Sequence, residues 1–355
     1  MSRNFTSDNV APACAAIMAA VNAANEGSAP SYGGDAYTAR LQARVAAVFE
    51  TPVSVYPVVT GTAANALAIA QISPPYGGVY CYEAAHIVTD ECGAPGFFSG
   101  GATLLGLPAA DGKITAMQVA AAIEQALSLG VHHVKPAAVS LTQATEWGTV
   151  YARAEVAAIA AVAKRHGLPM HMDGARFANA LVHLGCSPAE ATWQSGVDVL
   201  SLGATKNGAL SAEAVVFFDP ELAADFERRR KQSGHLWSKL RYLSAQLLAY
   251  LEPDVWLANA TQANAMATAL VSGLADLPGV RVLQSVDANE LFVALPEAVV
   301  AGLEAQGFGF YRWPAPGVGP RSDAGVSIRL VTSYLTTRAE VDGFVDAAAQ
   351  IASRS

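Results

Sequence analysis

Short apolar runs alternate with helical stretches along most of this chain, and that alternation restricts it to βαβ units around a largely parallel sheet. The pattern is clearest over 137–173. Residues 137–141 read as a buried strand, and the stretch 154–166 carries Val156, Ile159, Val162 and Ala163 at helical spacing. Gly167 and Pro169 stop that helix, and Pro169-Met170-His171-Met172 opens a second strand whose carboxyl end delivers Asp173. Further strands are predicted over 197–202 and 214–218. A helix predicted over 235–251 ends at Glu252-Pro253, and a second apolar helix runs on to about Leu274. Beyond it the chain mixes strands over 280–283, 290–294 and 326–331 with a last helix opened by the capping box Thr337-Arg338-Ala339-Glu340. The expected fold is therefore α/β, with a large domain over 1–252, including the N-terminal segment, and a smaller C-terminal α+β domain over 253–355.

Composition narrows the function. Half the residues are apolar, the net charge is -8, and the one basic run is Arg228-Arg229-Arg230-Lys231, which gives nucleic acid or an anionic membrane little to hold. The start of the chain lacks the regions of a signal peptide and no apolar stretch has bilayer length, so a cytoplasmic location is expected. Cys14, Cys81, Cys92 and Cys186 are widely spaced, which predicts reduced thiols and no structural metal.

Four segments carry chemistry. Thr60-Gly61-Thr62 follows the apolar run 53–59 and opens a helical stretch, so its backbone N–H groups and the helix dipole suit a phosphate; by itself such a turn is usually a plain connection. His86, after Tyr82-Glu83-Ala84-Ala85, is placed to stack on an aromatic cofactor, although a lone histidine, like His171, is more often structural. Asp173-Gly174-Ala175-Arg176 sets a carboxylate at a strand end, where it can keep a pyridine nitrogen protonated and make the ring an electron sink; the plain alternative is a surface Asp-Arg pair. Gly203-Ala204-Thr205-Lys206-Asn207-Gly208 sets one lysine in a small-residue turn after a buried strand, a setting for a nucleophilic amine, where most lysines are solvated surface charges.

The joint order of these segments closely resembles the fold-type-I transferase-like enzymes dependent on pyridoxal 5'-phosphate (PLP), and within them the threonine aldolase family. The resemblance extends from Ser7-Asp8-Asn9 through Pro30-Ser31-Tyr32-Gly33-Gly34-Asp35 to Ser327-Ile328-Arg329-Leu330. The segments around Asp173 and Lys206 look most like the bacterial low-specificity L-threonine aldolase and phenylserine aldolase branch. The resemblance implies retro-aldol cleavage of L-threonine, L-allo-threonine or a related β-hydroxy-α-amino acid to glycine and an aldehyde. It implies Lys206 as the Schiff-base lysine, Asp173 on the pyridine nitrogen, His86 on the ring, and Thr60, Gly61 and Thr62 around the phosphate. Arg329, helped by Arg176, Ser7 and Tyr32, would take the substrate; Asp90 would assist His86. It further implies a homodimer or homotetramer whose active site lies at the subunit interface, with Arg230 reaching across to a neighbour's cofactor phosphate.

One segment departs from the family. Many members carry a histidine after the strand over 139–141, whereas here the loop reads Thr142-Gln143-Ala144-Thr145-Glu146-Trp147-Gly148. The resemblance gives the β-hydroxyl proton to His86, directly or through water, and this loop adds Glu146 or a water as a substitute acceptor, while Trp147 either lines a pocket for a larger aldehyde or simply packs. One PLP pocket also supports β-elimination and transamination, and a silent binding module is the rival from outside the enzymes; Lys206, Asp173 and Arg329 together argue against that last reading.

Overall fold

The first sheet of the computed structural model, which describes residues 3–314 and 325–353, contains β1 (Ser54–Val58), β2 (Gly77–Tyr82), β3 (Thr103–Leu107), β4 (Lys135–Thr142), β5 (Met170–Gly174), β6 (Val199–Gly203) and β7 (Glu213–Phe217). Their order is β1-β7-β6-β5-β4-β2-β3. The run from β3 to β6 is parallel, and β7 is inserted antiparallel between β6 and β1. Parallel strands covered on both faces read as continuous apolar runs, which is why β4 and β6 stood out in the sequence.

The helix Gly61–Ile72 covers one face and is buried from Ala63 to Ala70. Its alanines and leucine meet Val58, Val79, Ala138, Val199 and Val215 from five strands, and small residues let the helix lie close. Met170 and Met172 of β5 enter the core on the opposite face. With a period of two, His171 and Asp173 therefore point toward the helix Gly61–Ile72. Each leucine or phenylalanine fully buried in these cores contributes about 1.5–3 kcal/mol before ordering costs are subtracted.

A second, antiparallel sheet is built from β8 (Arg281–Val282), β9 (Glu290–Leu295), β10 (Tyr311–Arg312) and β11 (Val326–Val331), in the order β10-β11-β9-β8. It packs on the final helix Arg338–Ala352, whose capping box at Thr337 and Glu340 is present as expected. The start of the chain joins this layer: Phe5 N–H donates to Gly309 O (2.7 Å), Val331 N–H donates to Phe5 O (2.9 Å), and the Phe5 ring meets Phe344 edge-on. The helix expected over 235–251 begins only at Arg241 and ends at Tyr250. Gly234, at a φ of +82°, turns the chain out of the preceding helix, and Ser238 O is then taken by Tyr32 N–H at 3.0 Å. Among the described residues no helix is long and apolar enough to cross a membrane.

Candidate active site

A cavity of about 340 Å³ lies beyond the carboxyl ends of β4, β5 and β6, against the amino end of the helix Gly61–Ile72. That is where open α/β sheets hold their ligands. Asp173 closes one end and is nearly fully buried. Its Oδ1 accepts from Ala175 N–H (2.9 Å) and its Oδ2 from Asn65 Nδ2 (2.8 Å). The same Asn65 amide donates to Glu91 Oε1 (2.8 Å), which also contacts His86 Nδ1 (2.8 Å). One amide nitrogen thus ties two buried carboxylates together and extends the chain to His86. The bond to Glu91 raises the pKa of His86, against the opposing effect of burial, while burial raises that of Glu91. The pair holds a proton more firmly than a free imidazole would.

Beneath Asp173, His171 is fully buried with Nδ1 on Ser140 Oγ and Nε2 on Ser201 Oγ, both at 2.9 Å. Burial pushes its pKa down to about 4, so it is a neutral structural residue, as its position in a strand predicted.

Lys206 follows β6 in a single 3-10 turn, Thr205–Asn207, and lines the cavity. Among the described residues its amine has neither a hydrogen bond nor an ion pair. Beside it, Glu213 accepts from Ala204 N–H (3.2 Å) and Thr205 N–H (3.4 Å), and burial pushes its carboxyl up to about 7. At the helix start, Thr60 Oγ1 accepts from Ala63 N–H (3.2 Å), and a Cβ built on Gly61 would meet nothing within 4 Å. That leaves an open concavity at a helix N-terminus.

A second cavity of about 730 Å³ shares Asn9, His86, Glu146, Arg176 and Lys206 with the first. Arg329 stands in its wall, with NH2 donating to Thr6 O (3.1 Å), NH1 3.4 Å from Glu290, and the guanidinium 4.5 Å from the Trp313 ring centroid. Among the described residues its Nε has no hydrogen-bond partner. Trp147 lines the same cavity, its indole N–H donating to Tyr82 Oη (2.9 Å) and its ring 4.6 Å from that of Phe292.

The geometry brings together Lys206, Asp173, His86, Thr60, Gly61, Thr62, Ser7 and Arg329, and redirects four other expectations. Arg176 reaches both cavities, with Nε and NH2 gripping Asp8 (2.8 and 3.2 Å) and NH1 2.9 Å from Glu290, so two buried carboxylates of this chain share its fork. Asp90 bonds Thr89 Oγ1 (2.7 Å), and the carboxylate on His86 is Glu91. Tyr32 stands outside both cavity walls, half exposed, with Lys231 Nζ 4.6 Å above its ring. Arg230 does not project from this chain: it is buried, donating to Pro57 O (3.1 Å) and Glu227 (2.8 Å) and lying over Tyr56, so it ties its own helix to β1.

Residues 4–298 match the beta-eliminating lyase family. The chain belongs to that family. Over 317 residues, 89% of the chain and 91% of the relative, it is 45% identical to a low specificity L-threonine aldolase of a Pseudomonas species, and equally so to that of Pseudomonas aeruginosa. The solved threonine aldolase of Leishmania major superposes with a TM-score of 0.90 at 27% identity, over 98% of this chain and 99% of that one. As a threonine aldolase-like member of the beta-eliminating lyases it is a PLP-dependent lyase. The cavity fits that cofactor: an unpaired amine for its aldehyde, a buried carboxylate for its ring nitrogen, and an open helix N-terminus for its phosphate.

Asn65, Glu91 and Glu213 were missed. A signal for two of them was present: Asn65 interrupts an alanine- and leucine-rich helix, and Glu213 opens the run Ala214-Val215-Val216-Phe217. A polar group sequestered in such a setting has to find a partner, and here both partners lie at the site.

Proposed function

We propose that this protein cleaves L-threonine, L-allo-threonine or a related β-hydroxy-α-amino acid to glycine and an aldehyde. The observation that carries this reading is the unpartnered Lys206 amine in a cavity closed by Asp173 and continuous, through shared wall residues, with one that displays Arg329. When bound, PLP supplies an aldehyde for the amine and a protonated ring that withdraws electrons from the substrate Cα.

The chain's own residues do the rest. Lys206 anchors the cofactor and yields its place to the substrate amine. Asp173, held by Asn65 and Ala175, keeps a proton on the ring nitrogen. His86, fixed by Glu91, lies along the ring face. Gly61 and Thr62 offer N–H groups to the phosphate. Arg329, stacked on Trp313, takes the substrate carboxylate through the donors its neighbours leave free, with Ser7 at the edge. A carboxylate fixed there sets which bond to Cα stands across the ring. Arg176 holds Asp8 and Glu290 in place at the wall of both cavities. The protein acts as a homodimer or homotetramer with the active site at the subunit interface. We assign the protein to the cytoplasm and place the domain boundary at 252/253.

The purified protein, incubated with PLP, should turn yellow, and L-threonine should then give glycine and acetaldehyde in equal amounts. Ammonia with an oxoacid, or pyridoxamine phosphate, would overturn the assignment. Arg329→Lys should lower kcat/KM about 10- to 100-fold, because lysine cannot reproduce a planar fork. An unchanged value removes Arg329 from carboxylate binding.

A further inference from the structure

We propose that Glu146 accepts the β-hydroxyl proton as the substrate carbon–carbon bond breaks; the proposal rests on the aldolase reading above. Glu146 follows β4 and lines both cavities. Among the described residues it is the only carboxylate in both walls: Asp173 and Glu213 border the inner cavity alone, and Glu83, Asp90 and Glu290 the outer one alone. A substrate anchored at Lys206 with its carboxylate at Arg329 spans the junction between the cavities, and that is where Glu146 stands.

The carboxylate is firmly placed. Its Oε1 accepts from Thr142 Oγ1 (2.7 Å) and from His86 N–H (2.9 Å). The loop that carries it is pinned on either side, by Thr145 Oγ1 against Thr149 Oγ1 (2.7 Å) and by the Trp147 indole on Tyr82. Gly148, at a φ of +73°, lies so close to β9 that a Cβ would come within 2.5 Å of Glu290 O, so the loop cannot slide outward. Among the described residues Glu146 Oε2, by contrast, is buried and has no hydrogen-bond partner. A buried carboxylate oxygen without a donor awaits one, and a substrate hydroxyl is a donor of the right kind.

The rivals are otherwise engaged. His86 has Nδ1 held by Glu91, and the reading above gives its ring to the cofactor face. Glu213 caps the turn that holds Lys206. Glu91 borders neither cavity. Burial pushes the Glu146 carboxyl up to about 7, so near neutral pH it both accepts and returns a proton. In the step, the hydroxyl proton passes to Glu146 Oε2 and the O–H electron pair becomes the second C–O bond of the aldehyde. The Cα–Cβ pair stays with Cα, where PLP when bound would supply the electron withdrawal, and a proton restored to Cα gives glycine; one proton lost is matched by one gained.

Two reactions of the PLP-loaded enzyme separate this role from a structural one: cleavage of L-threonine, and exchange of the glycine Cα proton with deuterated water, which involves no β-hydroxyl. Glu146→Gln keeps the Oε1 acceptor for Thr142 and His86. It should cut cleavage about 10²- to 10³-fold while exchange and the affinity for PLP, read from the visible band, stay within about threefold. Glu146→Asp, which retains a carboxylate, should recover about tenfold of the lost cleavage. Cleavage that survives in Glu146→Gln, or cleavage and exchange that fall together, overturns the proposal. A parent enzyme that exchanges glycine but cleaves no threonine, allo-threonine or phenylserine overturns the aldolase reading instead.

Discussion

Lys206→Ala is expected to lose turnover and the borohydride-reducible bond to PLP together, with kcat/KM below about one-thousandth of the parent value. Among the described residues no other lysine lines either cavity, so no second amine can take its place. Among the described residues the side chain makes no hydrogen bond or ion pair and acts on Asp8 and Glu213 only through its charge, so its removal should lower the melting temperature of the apoprotein much less than loss of Arg176 would. This separates a lost anchor from a lost fold. A variant that still forms a reducible link to PLP, or still cleaves threonine at a parental rate, would sink the assignment of Lys206.

The large sheet was legible because strands buried on both faces, parallel or antiparallel, are largely apolar. β4, β5, β6 and β7 therefore appeared within two residues of their observed ends, and Asp173 and Lys206 were placed by following the chain out of β5 and β6. Contacts set by short, irregular backbone were not legible. If His86 opened a regular helix, Asp90 at i+4 would share its face. The helix instead stops after His86–Thr89, Asp90 takes a φ of −124°, and the chain swings Glu91 beneath the imidazole. The surroundings of Arg176 were hidden for a different reason. A basic residue in a sequence window does not announce its counter-charges, and those of Arg176 lie far off in the chain, at Asp8 and Glu290. Asn65 was the opposite case: its partners were hidden, but its chemistry was out of place in its helix, and that mismatch was readable.

Removing the charge of Arg176 is expected to have the largest effect on stability. The guanidinium contacts Asp8 at 2.8 Å and Glu290 at 2.9 Å, and the two carboxylates are 1% and 2% exposed. In Arg176→Met both stay buried, with Arg329 at 3.4 Å the remaining cation on Glu290. Stranding a buried charge costs about 3–5 kcal/mol, and a loss of this size should appear in denaturant unfolding. Its pH dependence identifies the cause. Burial alone would raise the pKa of Asp8, but in the native protein the charges of Arg176 and Lys206, with hydrogen bonds from Arg176 and Asn289, hold it below the ordinary 3.8. Asp8 therefore contributes stability that is present above 3.8 and lost as pH falls through its folded value. Without Arg176 the balance tips toward burial and the folded pKa rises above the unfolded one, so the variant gains on acidification. The deficit relative to the parent should shrink between pH 8 and pH 5, and activity should fall with it as Ser7 and Arg329 lose their frame. A deficit under about 1 kcal/mol, or one equal at both pH values, would mean that Asp8 and Glu290 do not depend on Arg176 for their charge.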